Sequence, residues 1–184
     1  MKSLSQAVLA LAACAALLPA SEPLSLTATD GKPVSIPLEG KTTALVFIAT
    51  ECPVSNDYNG RMKELYGEYK AKGVDFVFVN SNSSESAAEV VQHAKDNGFT
   101  FAVHKDPDNK LADRFSAQVT PEVFVFDKSG KVAYHGSIDD SRAIERISKR
   151  PLKDALDAIL AGKAAPVAES KAFGCTIKRA GKQS

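Results

Sequence analysis

Hydrophobic and polar positions follow two rhythms along this chain. Residues 43–49, "TALVFIA", form a continuous apolar run of strand length, the pattern of a strand buried on both faces. Residues 74–80, "VDFVFVN", repeat it. Between the two, Val54, Tyr58, Met62, Leu65, Tyr66 and Tyr69 recur at spacings of three and four. That periodicity predicts an amphipathic helix that begins at Pro53, a residue suited to a first helical turn, runs to about Lys72 and stops at Gly73. Upstream, "LSLTATDGKPVSIPL" (24–38) alternates on either side of Asp30-Gly31 and predicts a hairpin.

Downstream, "SSESAAEVVQHAKDNG" (83–98) opens with serines and acids and closes on Asn-Gly, so it predicts a second helix. "FTFAVH" (99–104) reads as a short strand and "NKLADRFS" (109–116) as a short helix. "EVFVFDKSGKVAYHG" (122–136) reads as two strands about a Lys-Ser-Gly turn, and "RPLKDALDAILAG" (150–162) as a last helix. Strands alternating with helices predict an α/β domain with a parallel core and one antiparallel edge pair. The closing segment, "KAAPVAESKAFGCTIKRAGKQS", is small and polar and is expected to be a loosely held extension.

Composition narrows the function. The 184 residues carry a formal net charge of +1, and 44% of them are hydrophobic. That balance suits one globular domain and gives no sign of a nucleic-acid partner. No internal apolar run is long enough to span a bilayer. The N-terminus differs: Lys2 precedes "AVLALAACAALL" (7–18) and then "PASEP". The expectation is a signal peptide over residues 1–20, export to a periplasm-type compartment, a globular domain over 21–163 and a tail over 164–184. Leu11-Ala12-Ala13-Cys14 also fits a lipobox, so membrane attachment is expected only if Cys14 is lipidated.

Export leaves two cysteines in the mature chain, Cys52 and Cys175. Cys52 falls where the first buried strand hands over to a helix. The first-turn amides there lack helical partners and present the positive end of the helix dipole. A thiolate is favoured over a thiol in that position, and the thiolate is the reactive form. A small buried hydrophobe is the plainer alternative for any free cysteine.

With these residues in view, the chain resembles the thioredoxin-fold redoxins of the alkyl hydroperoxide reductase/thiol-specific antioxidant superfamily, and within them a peroxiredoxin-like subgroup. The resemblance rests on "TECPVSNDY" (50–58), "VTPEVFVFDKSGKVAYHGSIDD" (119–140), "FGCTIKR" (173–179) and the element order. It implies a central, mostly parallel sheet with helices on both faces, and a thiol-dependent oxidoreductase. It implies a cis Thr120-Pro121 peptide beside Cys52, with the Thr120 backbone free to pair with a partner. Catalytic positions are then Cys52, Cys175, Thr120 and Pro121, with Cys175 as a candidate resolving cysteine and no cofactor. The expected partner is a thiol or disulfide protein, or a peroxide.

The departures from the family also inform the reading. Ser55 stands where a thioredoxin has its second cysteine. Ala49 stands where a peroxiredoxin has threonine, and Pro121 about where it has arginine; Arg61, Arg114 and Arg142 fall off that pattern. Thiol exchange or slow peroxide reduction is expected rather than fast peroxidase activity. His104 and His135 keep open a copper-handling alternative on the same fold, and a non-catalytic binding module is a third.

Overall fold

The structure, a computed structural model, describes residues 21–181. The expected leader, Cys14 included, lies outside the described residues. The chain forms β1 (Leu24–Thr27), β2 (Pro33–Ile36), β3 (Thr42–Ile48), α1 (Pro53–Asp57), α2 (Asn59–Lys70), β4 (Val74–Asn80) and α3 (Ala87–Asp96). It continues through β5 (Val103–Lys105), α4 (Lys110–Arg114), β6 (Val119–Thr120), β7 (Glu122–Phe126), β8 (Val132–Gly136), α5 (Pro151–Leu160) and β9 (Cys175–Thr176). Seven strands make one sheet in the order β2-β1-β5-β4-β3-β7-β8, and β6 and β9 pair separately. Strands β3, β4 and β5 run parallel at the centre, flanked by antiparallel pairs. The parallel centre and antiparallel edges are those the pattern predicts, and the whole is the thioredoxin-like α/β architecture that the family resemblance implies.

The two rhythms explain the layers. Every residue of β3 is buried. Its side chains alternate between faces, as a pleated strand demands. Ala44, Val46 and Ile48 join a core with Tyr58 and Met62, Val90 of α3, and Leu152 and Leu156 of α5. Leu45 and Phe47 point to the opposite core, with Leu24, Leu26, Leu111 of α4 and Ile177. The sheet is thus covered on both sides, which is why its central strands are apolar throughout.

Local signals fix the ends. Ser86 caps α3 in a reciprocal capping box with Glu89. The helix expected over 53–72 is two segments, because Tyr58 interrupts α1 and α2 with φ −93° and ψ −4°. The Tyr58 hydroxyl is drawn into a buried polar contact with Asp139, 2.8 Å away.

The C-terminal segment corrects one expectation. It packs on the domain instead of hanging from it. The His135 N–H donates to the Ala168 carbonyl and the Ser170 N–H donates to the His135 carbonyl, both at 2.9 Å. Beyond them β9 pairs with β6, and Ile177 is only 3% exposed. Backbone hydrogen bonds to His135, a short strand pair and the buried Ile177 all help to hold a segment whose composition reads as solvent-facing.

Candidate active site

Strand β3 delivers the chain to a short loop, Ala49 to Glu51, and then to Cys52, which caps α1 from an extended backbone at φ −82° and ψ 112°. The Ser55 N–H donates to Cys52 Sγ at 3.2 Å. The expected donor is therefore in place, and it favours negative charge on that sulfur. Ser55 itself is buried, and its hydroxyl accepts from the Ala49 N–H at 3.2 Å. The residue at the second thioredoxin position thus closes the loop from inside and carries no redox chemistry.

A buried carboxylate that the sequence reading did not single out holds the other side of the loop. Glu85 accepts from the Thr50 N–H at 2.7 Å and from the Glu51 N–H at 3.3 Å. The side-chain amides of Asn80 and Asn82 donate to it at 2.5 and 2.7 Å. Burial pushes its pKa up, but the hydrogen bonds from Thr50, Asn82 and Asn80 outweigh burial and hold the carboxyl below its usual range. Lys105 lies against the same cluster, its ammonium donating to the Asn82 carbonyl at 3.1 Å. Burial lowers its pKa, and the Glu85 charge opposes that shift. Asn56 completes the loop by donating to the Thr50 carbonyl at 2.9 Å. Glu51 points outward, with its carboxylate 3.5 Å from the Lys178 ammonium.

Thr120-Pro121 is a cis peptide. The Thr120 carbonyl oxygen lies 3.4 Å from Cys52 Sγ. The Thr120 backbone is not free, however, because it pairs in antiparallel register with Cys175. Cys175 and Cys52 form a disulfide across this junction, with Cα atoms 5.8 Å apart. Gly174 makes the approach possible, since a Cβ there would overlap the Thr120 carbonyl. Glu122 pins β6 from below: its carboxylate accepts from the Gln118 and Val119 N–H groups at 2.7 and 3.0 Å, and lies 2.6 Å from His135 Nε2. The four sequence-predicted residues, Cys52, Cys175, Thr120 and Pro121, are therefore brought together.

Other candidates are placed elsewhere. Arg61 is paired with Asp139 at 2.6 Å and stacks on the Tyr58 ring. Burial and the neighbouring Asp139 push the Tyr58 phenol far above its ordinary pKa, so it stays protonated. Arg114 donates to the carbonyls of Pro23 and Glu22, and Arg142 pairs with Asp57. His104 on β5 and His135 on β8 are separated in the sheet by β4, β3 and β7, about 19 Å at ordinary strand spacing. Among the described residues no three His, Cys, Asp or Glu side chains gather where they could hold a metal ion.

A profile of the AhpC/TSA family matches residues 20–135. The chain belongs to the AhpC/TSA family. Among solved structures, an uncharacterized conserved protein of Geobacillus kaustophilus superposes with a TM-score of 0.79 at 30% identity, covering 88% of this chain and 90% of that one. StoA of Bacillus subtilis shares the fold, with a TM-score of 0.55 at 24% identity over 64% of this chain and 89% of that one. The thiol-disulfide oxidoreductase ResA of Bacillus cereus is 32% identical over 108 residues, 58% of this chain and 61% of that protein. The match thus spans less than two thirds of that curated relative's length.

Proposed function

We propose that this AhpC/TSA chain is a thiol-dependent oxidoreductase that exchanges disulfides with protein partners through Cys52 and Cys175. The observation that carries the reading is the bond between those two cysteines, with Cys52 on a helix cap and Cys175 paired to Thr120. Exchange proceeds by thiolate attack on a disulfide sulfur, and a sulfur stabilised as an anion is both a good leaving group and, once free, a persistent thiolate. The Ser55 N–H on Cys52 Sγ supplies that stabilisation. Thr120 and Pro121 shape the junction where the two cysteines meet. The likeness to proteins named thiol-disulfide oxidoreductase supports the same direction.

The test is the reduction of insulin by dithiothreitol, followed by turbidity. The wild-type chain is expected to accelerate it, and Cys52→Ser and Cys175→Ser are expected to lose the acceleration. No acceleration by the wild-type chain ends this reading.

Family membership favours one second reading, a slow peroxidase of the peroxiredoxin-like kind. In it Cys52 reacts with a peroxide to a sulfenic acid that Cys175 condenses to the same disulfide. Trapping with dimedone in Cys175→Ser tests it, with a Cys52 adduct expected after hydrogen peroxide. Export is part of the proposal and rests on the leader pattern of residues 1–20. The intact mass of the mature protein distinguishes cleavage near Ala20 from lipidation at Cys14.

A further inference from the structure

The exchange reading leaves open which sulfur meets the partner, and the structure bears on this. Strand β9 occupies the backbone edge of β6 that the family resemblance would leave to a partner chain: Thr120 faces Cys175, and Val119 faces Thr176. The occupant is anchored downstream as well. The Ile177 N–H donates to the Gln118 carbonyl at 2.9 Å, and the Lys178 N–H donates to Asn82 Oδ1 at 2.8 Å. Cys52 beneath it is 3% exposed, with the Ser55 amide and the Thr120 carbonyl against its sulfur. Cys175 is only half-buried, between the exposed Thr176 and the half-buried Gly174. A thiolate attacks a disulfide sulfur in line with the S–S bond, from the side away from the leaving sulfur. Of the two cysteines Cys52 is the enclosed one and Cys175 the one that solvent reaches, so an incoming thiolate has readier access to Cys175.

We infer that an external thiol opens the bond at Cys175, so that Cys175 carries the mixed disulfide and Cys52 is the leaving group. The proposal rests on the exchange reading. The external thiolate bonds to Cys175 Sγ, the Cys52–Cys175 bond breaks, and its electron pair departs with Cys52, whose negative charge the Ser55 N–H receives. A second external thiolate then attacks the partner sulfur. Cys175 leaves with that electron pair and takes a proton from water. Two external thiols become one disulfide, and the Cys52–Cys175 pair gains two electrons. The reverse direction passes through the same mixed disulfide.

The experiment treats the oxidised full chain with glutathione, quenches with N-ethylmaleimide over a time course, and maps both cysteines by mass. Glutathione on Cys175 together with N-ethylmaleimide on Cys52 is the expected product. Glutathione on Cys52, or bond opening with no Cys175 adduct at any time, overturns the proposal while leaving exchange intact. A bond that glutathione does not open in the folded chain overturns the exchange reading and this proposal together.

Discussion

Reduction of the Cys52–Cys175 bond, with no atom replaced, perturbs the loop it closes, a sequence separation of 123 residues. The chain-entropy relation for a loop of that length gives roughly 5 kcal/mol of stabilisation through the denatured state. Measured disulfides more often deliver about 2–4 kcal/mol. The reduced tail keeps its own anchors, Ile177 in the core and the Lys178 amide on Asn82, so the native state is expected to survive reduction with its fold intact. Urea unfolding of the oxidised and reduced chains at neutral pH measures the difference. With a denaturant slope of about 2 kcal/mol/M, a loss of about 4 kcal/mol moves the midpoint down by about 2 M. The thermodynamic cycle closes through redox: the same ~4 kcal/mol makes the bond harder to reduce in the folded chain than in the unfolded one, by about 85 mV. Glutathione titrations with and without denaturant read that gap. Midpoints that agree within about 0.3 M would refute the reasoning, because the crosslink would then constrain nothing that the fold does not already constrain.

Gly174→Ala places a methyl group against the Thr120 carbonyl; displacing β9 loses about two hydrogen bonds, roughly 2 kcal/mol, and slows reoxidation of the pair, read by thiol counting. Gly60→Ala in α2 meets open space, and urea unfolding is expected to show it neutral or stabilised by up to about 1 kcal/mol. Glu85→Gln removes a carboxylate whose folded pKa is lowered, so its stabilisation is complete above the ordinary carboxylate value and fades as pH falls through the lowered one. The stability gap between wild type and Glu85→Gln is therefore expected to be widest at neutral pH and to close in acid, and a gap that widens in acid reverses the assignment. Asp139→Asn takes the counter-charge from Arg61, a pair with side chains 2% and 7% exposed; removing one partner of such a pair costs about 3–5 kcal/mol, checked by urea unfolding.

Where periodicity was strong, the sequence was a good guide. Residues 74–80 form β4 over the same span the apolar pattern marks, and the serine-rich start of the second helix is a true cap at Ser86. Cys52 was legible because a strand end, a cysteine and a proline in succession define a helix cap without tertiary information. The tail was not, because β9 is two residues long and carries no period to read. Glu85 was hidden by its neighbours: in "SSES" it looks like a capping acid, and its true role depends on Thr50 and Glu51, which lie 35 and 34 residues away. Asp139 likewise reads as a turn residue, yet it lies buried under Tyr58 and Arg61.

The pairing of Ala168 and Ser170 with His135 has a consequence for how copies of this protein meet. Strand β8 is the outermost strand on its side of the sheet, and a bare outer strand invites a second molecule to zip on and start aggregation. The returning chain takes the amide and the carbonyl of His135 and presses Ser170 onto Gly136, where even a methyl group would collide. The stretch that carries Cys175 therefore also covers the β8 edge at His135, and its removal is expected to leave that edge open to pairing with a second molecule.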